Sequence, residues 1–372
     1  MVKCSKNKYG LYIHVPFCLS KCPYCHFYSV SIDKKEEFFD IYLRALQEEV
    51  ARYKSLDFKY ETLYVGGGTP NVLSPKELAT LLELVHKNLD LGEVKEKSIE
   101  VNPENVKKDF IKVIKEFGFN RVSIGAQSFI DKELKLLGRQ HTVKDTIRTF
   151  QILREAGFNN INIDLIFAFK GQTLPSFQYS LEQTCDLAPE HISTYTMTYE
   201  KPARKDLELK DEETVVKMFR LRNKILKAHG FKMYEISNYS KKGFECLHNL
   251  KYWLRHYYIG LGPSASGFYL KDGKEIRYTN PSSFLQYSKG IKKIEILNEN
   301  QKVIEEIFLS LRTKWGLKVK SELLKSIPEE LKPFIKVKNN SLFLTEKGML
   351  VADSIALKIY EHYEELKKET GL

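Results

Sequence analysis

Nowhere in the 372 residues is there an uninterrupted run of about 18 uncharged apolar side chains, so no membrane-spanning helix is expected. A secretion signal is equally missing. The longest apolar stretch near the start, Leu11 to Phe17, is interrupted by His14 and leads into cysteines instead of a small-residue cleavage site. Together these absences predict a cytoplasmic protein. Arginine is absent from the last 56 residues, where 10 Lys stand against 9 Asp or Glu, so the tail is nearly neutral and unlike a DNA-binding arm. Over the whole chain 59 basic and 48 acidic residues leave a formal charge of +11, but the signs are interleaved, as from Lys34 to Glu37, and no nucleic-acid partner is expected. Low-complexity tracts are lacking too, and 22 Phe with 21 Tyr argue against disorder.

What is there alternates. Short β-branched runs at Leu11–Val15, Thr62–Val65, Ser98–Val101, Arg121–Ile124, 160–167 and His191–Thr196 are separated by helix-period segments. The helices are expected at 35–53, 75–88, 106–117, 143–156 and 175–187, with Ser74-Pro75 starting the second and Gly118 and Gly157 ending the third and fourth. Such alternation implies a parallel sheet with helices outside it, either an open sheet or a partial barrel. The charged stretch from Lys201 to Glu213 breaks the pattern; a helix at 215–228, an aromatic-rich block from Phe231 to Phe268 and a hairpin turning at Lys271-Asp272-Gly273 follow. The C-terminal part reads as a small helical domain whose last helix presents Val351, Ile355, Ile359 and Tyr363 on one face.

The sharpest chemical signal follows the first strand, where Cys18, Cys22 and Cys25 fall within eight residues. A structural zinc site and a standard iron–sulfur cluster each take four protein ligands. A cluster held by three leaves one iron open. Zinc remains the alternative, with His14, His26 or Cys4 as fourth ligand. After the second strand comes Gly66-Gly67-Gly68-Thr69-Pro70, whose missing Cβ atoms let a ligand approach the backbone and its N–H groups. No Gly-Lys-Ser/Thr follows, which excludes a Walker loop. Glu100, Gln127 and Asp164 each fall near the carboxyl end of an expected strand, the end at which parallel βα folds bind ligands. Arg139 adds a charge partner for a carboxylate.

The cysteine triplet with the Gly-Gly-Gly-Thr-Pro string resembles the radical S-adenosylmethionine (SAM) superfamily. Within it the chain is similar to the branch holding oxygen-independent coproporphyrinogen III dehydrogenase and the HemW family of haem chaperones. Supporting strings are Tyr12 to Cys18, Glu100 to Pro103, Ser123 to Phe129, Leu137 to His141, Asn162 to Leu165, His248-Asn-Leu-Lys-Tyr252-Trp253 and Gly260 to Pro263. The resemblance implies an α/β fold: a partial (β/α)6 TIM-type barrel over residues 1–200, a connecting haem-associated region over 201–300, and a smaller C-terminal α/β and helical, winged-helix-like domain over 301–372. It implies a [4Fe-4S] cluster on Cys18, Cys22 and Cys25, and SAM contacts at Tyr12, Tyr24, Gly67, Gly68, Thr69, Glu100, Gln127, Arg139 and Asp164.

The same resemblance decides between branches. The dehydrogenase pattern carries a fourth cysteine two residues after the third, where this chain has Phe27, and a longer arm before the cluster than the 17 residues here. The block from His248 to Trp253 is the chaperone hallmark, linked with haem. His248 can ligate haem iron, with Cys246 and His256 as further options, and Tyr252 and Trp253 offer flat apolar surface. Read from the residues alone, the block is more readily a packed aromatic cluster in which His248 hydrogen-bonds a carbonyl. The expected function is binding haem and passing it to an acceptor, such as a membrane-associated respiratory protein, with an electron donor for the cluster; porphyrinogen dehydrogenase activity is the alternative. Two departures from the branch's pattern are Ala168-Phe-Lys170-Gly171-Gln, where Gly-Leu-Pro-Gly-Gln is usual, and His26, where Asp is common.

Overall fold

The computed structural model describes residues 4–56, 58–197 and 211–370. Six βα units come first: β1 (Tyr9–Val15), α1 (Lys35–Lys54), β2 (Tyr60–Gly67), α2 (Pro75–Asn88), β3 (Glu96–Val101), α3 (Lys108–Glu116), β4 (Arg121–Gln127), a short α4 (Asp131–Leu136), α5 (Val143–Glu155), β5 (Ile161–Phe167), α6 (Leu174–Asp186) and β6 (His191–Thr196). Local chemistry sets the boundaries. Ser74, Thr142 and Thr173 close capping boxes at the starts of α2, α5 and α6. Gly118 and Gly157 end α3 and α5 with φ of 73° and 82°, the left-handed turn that favours glycine.

After α7 (Glu212–Ala228) come β7 (Lys232–Met233), β8 (Asn238–Ser240), α8 (Leu247–Trp253), β9 (Tyr258–Leu261), β10 (Ser266–Lys271), β11 (Lys274–Thr279) and β12 (Lys293–Ile296). All belong, helices aside, to one sheet of order β12-β11-β10-β9-β1-β2-β3-β4-β5-β6-β8-β7. β9 pairs in parallel with β1, a parallel strand beyond the six that the alternation predicts. The hairpin turns as expected, with Asp272 and Gly273 both at positive φ (49° and 73°). Of the charged stretch from Lys201 to Glu213, residues 201–210 lie outside the described residues.

The parallel strands have two unlike faces. Leu11, Ile13, Leu63, Val65, Ile99, Val122, Ile124, Ile163 and Ile192 are buried against the helices in one apolar cluster. The alternate set, including Tyr64, Glu100, Ser123, Asn162, Asp164 and Ser193, lines a central cavity of about 400 Å3. Strands β2 to β6 therefore curve around one polar hollow, the interior of a partial barrel. A second core is built by α9 (Glu299–Leu311), three short antiparallel strands (Leu317–Lys318, Ile335–Lys338 and Ser341–Leu344) and α10 (Ala352–Thr370). The expected apolar face of the last helix is corrected at one end: Ile355 and Ile359 are buried, but Val351 precedes α10 and is 43% exposed.

Candidate functional site

The cysteine loop is closed on itself by Phe17–Cys18 pairing in parallel with Val30–Ser31, and by Cys25 N donating to Cys22 O at 3.0 Å. Thr69 Oγ1 donates to Cys18 Sγ at 3.4 Å, and Arg139 Nη1 donates to Cys22 Sγ at 3.6 Å. Between these donors sits Asn102. Its Nδ2 donates to Thr69 Oγ1 (3.0 Å) and its Oδ1 accepts from Arg139 Nη2 (2.7 Å), so one side chain joins the partners of both sulfurs. Asn102 is itself fixed by a reciprocal pair of 2.9 Å bonds between its backbone and the Asn71 amide. Burial, then the neighbouring Cys18 and Cys22 sulfurs, pushes the Cys25 thiol pKa up. Arg139 Nη2 also donates to Gly125 O at 3.0 Å, so several of its donors are held by the protein itself.

The glycine run also behaves differently from its expectation. Gly67 N donates to Glu100 Oε2 (3.0 Å), Gly68 N to Val15 O (2.8 Å) and Thr69 N to Phe17 O (2.7 Å). Those N–H groups hold the protein to itself, so the loop offers a ligand its surface and not its donors. The missing Cβ atoms have internal reasons too. One on Gly66 would meet the Glu100 carboxylate at 2.6 Å, one on Gly67 the His14 ring at 2.3 Å, and one on Gly68 the Phe17 carbonyl at 2.6 Å.

Two carboxylates stand in the cavity wall. Glu100 accepts from Tyr64 OH at 2.8 Å; Asp164 accepts from Ser123 Oγ at 2.9 Å and Asn162 Nδ2 at 2.8 Å. Burial raises both pKa values, and those hydrogen bonds oppose the rise. Behind Asp164, Asn162 Oδ1 accepts from His191 Nδ1 (2.6 Å), whose Nε2 accepts from Tyr234 OH (2.8 Å). Gln127 ends β4 with φ 68° at a register shift, which brings it to the cavity. Tyr24 leans on buried Leu137, Ile166, Phe169 and Met197. Ala168 adopts φ 64°, the conformation of the glycine it replaces, and its N–H donates to Gln172 Oε1 at 2.8 Å.

Helix α8 closes the opposite end of the barrel. Glu96 accepts from Leu247 N (2.9 Å) and His248 N (3.0 Å) at its amino end. Lys251 is wholly buried and donates to Glu61 Oε2 (2.6 Å) and to the carbonyls of Ser5 and Lys8 (2.7 Å each). His248 is 1% exposed, bonded through Nδ1 to Thr62 Oγ1 (2.8 Å) and through Nε2 to Tyr252 OH (2.7 Å). Both ring nitrogens are engaged. Cys18, Cys22, Cys25, Tyr24, Gly67, Gly68, Thr69, Glu100, Gln127, Arg139 and Asp164 share the one cavity, whereas Tyr12 and His248 lie outside its lining. Tyr12 is turned to His14 Nδ1, 3.0 Å from its hydroxyl. From α8 it is Asn249 that reaches the cavity.

A family profile described as the radical SAM superfamily matches residues 12–183. The Lactococcus lactis protein named "Heme chaperone HemW" is 33% identical over 92% of this chain and 95% of its own length. Its Bacillus subtilis namesake is 33% identical over 92% and 97%. The chain belongs to the HemW family. Among solved structures it resembles the Escherichia coli radical SAM enzyme coproporphyrinogen III oxidase (HemN), with a TM-score of 0.81 at 22% identity, covering 97% of this chain and 92% of that one. That likeness shows that the HemW-family chain has a HemN-like fold.

Of the fourth ligands the zinc alternative offers, two are placed elsewhere, while His26 lines the cavity with the three cysteines. His14 has both ring nitrogens engaged, the second to Tyr28 O at 2.8 Å. Cys4 lies by α8, its Sγ 3.8 Å from Leu247 O. The donor chemistry fits a cluster better: three thiols on one loop around a shared cavity, two of them already accepting hydrogen bonds. Asn102, Asn249 and Arg121 are cavity residues that the sequence reading passes over. Arg121, Ser123, Gly125 and Gln127 all line the hollow, so stepping back from Gln127 by twos reaches Arg121.

Proposed function

We propose that this chain binds haem and hands it to an acceptor protein, with a [4Fe-4S] cluster on Cys18, Cys22 and Cys25 and SAM in the adjoining cavity. The supporting observation is the likeness to proteins named haem chaperones along almost the whole of both chains. Phe27, at the cavity mouth and 63% exposed, agrees with it, standing where the dehydrogenase pattern has another cysteine. In this reading the barrel, residues 1–200, carries cluster and SAM, 201–300 the haem-associated block, and 301–372 a separate small domain. An acceptor and an electron donor complete the cycle.

When bound, the cluster supplies a low-potential electron and an iron open to an exchangeable ligand. The protein's own part is to hold and shield. Thr69 and Arg139 aim hydrogens at the Cys18 and Cys22 sulfurs. Loading costs Cys25 a proton that its burial retains. Glu100 and Asp164 present acceptors to the cationic and hydroxyl groups of SAM. Tyr24 supplies an apolar wall that keeps water from the sulfurs. His248 is the axial ligand this reading offers first, at the cost of its bonds to Thr62 and Tyr252.

Anaerobic reconstitution followed by iron and sulfide analysis, haem titration and incubation with coproporphyrinogen III tests the proposal. Brown protein that binds haem and leaves the porphyrinogen unchanged is expected. Conversion to protoporphyrinogen IX with SAM consumed, or iron-free protein, would overturn it.

A further inference from the structure

The floor of the cavity carries a charge with nothing to hold. Arg121, the first residue of β4, is 1% exposed, yet its guanidinium lines the hollow. Its Nε is buried without a hydrogen-bond partner, and among the described residues no hydrogen bond or ion pair ends on the group. The Glu96 carboxylate in its field is committed to Leu247 N, His248 N and Cys246 Sγ. Arg139, the other cavity arginine, is by contrast hydrogen-bonded to the protein. Glu96, Glu100 and Asp164 act on the Arg121 charge through space, and no hydrogen bond to it is formed, so its donors are left open to a ligand that brings an acceptor.

Small polar side chains share the lining with this cation. Asn249 enters from α8, and Asn162 and Ser193 from β5 and β6. The buried carboxylates Glu100 and Asp164 also line the hollow, so it sets an anionic wall beside a single unpaired cation on its floor.

We infer that Arg121, which shares the cavity lining with Asn249, forms a carboxylate-binding subsite at the floor of the barrel, separate from the cysteine loop. The carboxylate comes either from a propionate of a tetrapyrrole or from a free small acid. The first source rests on the proposed haem-binding function; the subsite itself does not.

The test uses the full-length, anaerobically reconstituted protein and its Arg121→Gln variant. Haem and haem dimethyl ester are titrated against both, and acetate is added in thermal melts. For a propionate, Arg121→Gln weakens haem about tenfold to a hundredfold, the worth of a charge-assisted hydrogen bond. The ester then binds the unchanged protein as weakly as haem binds the variant. For a free acid, haem and ester bind alike, and acetate raises the melting temperature of the unchanged protein but not of Arg121→Gln. If haem does not bind at all while acetate still discriminates, the chaperone reading falls and the subsite stands. If neither esterification, acetate nor Arg121→Gln changes anything, the inference is wrong. Should Arg121→Gln not fold, the ester and acetate arms on the unchanged protein decide, with Arg121→Lys keeping the charge.

Discussion

Replacing His248 by glutamine should change how stability depends on acidity. Burial, with Lys251 and Arg121 adding like charge, pushes the His248 pKa down to about 3. Around the ring stand Thr62, Tyr12, Tyr64 and Tyr252, which leave it neutral, and Glu96 is engaged with the α8 backbone. An unfolded histidine titrates near 6.5, so between about 3 and 6.5 the unfolded chain binds the extra proton and stability rises with pH. Its contribution is complete above the upper value and lost progressively below it. Going from about pH 7 to about pH 5, this one residue should cost the folded state about 2 kcal/mol. His248→Gln loses hydrogen-bond quality at every pH and, having no titrating ring, lacks this slope. Urea unfolding of both proteins at the two pH values reads the difference: the gap between them should narrow by about 2 kcal/mol on acidification. Parallel losses in the two proteins would refute a buried, neutral His248.

Other outcomes follow from the same geometry. His248→Gln should shift the Soret band of the haem complex; an unchanged titration moves the ligand elsewhere. Lys251→Met leaves buried Glu61 with Lys95 and the Ser5 N–H as partners and strips two carbonyls of their donor, so chemical denaturation should show a loss of about 3–5 kcal/mol. Ala168→Gly should stabilise by about 1 kcal/mol in the same assay, because φ 64° costs alanine what glycine does not pay. Cys22→Ala should leave reconstituted protein without cluster absorbance or stoichiometric iron.

The fold was readable because its two signals agree. Apolar residues at alternate strand positions and capping residues such as Ser74 and Thr142 both act locally, within one element. The cysteine loop, Glu100 and Gln127 were readable for a related reason, since parallel βα units put the carboxyl ends of their strands together; Asp164 reaches the same cavity from the middle of β5. What escaped depends on distant pairing. That Gly68 N binds Val15 O, that Arg139 is held by Asn102, or that His248 packs under Thr62, is set by residues far apart in the chain. Arg121 escaped because an arginine opening a strand looks like a solvated end until the opposing α8 is seen to cover it.

Asn102 touches no sulfur, yet it fastens the donors of two. Thr69 and Arg139 reach Cys18 and Cys22 from different strand ends, and the asparagine amide is the peg that keeps their spacing. Losing that peg would let both loops drift apart while every ligand stayed in the chain. A variant emptied of iron need not, then, have been altered at any cysteine.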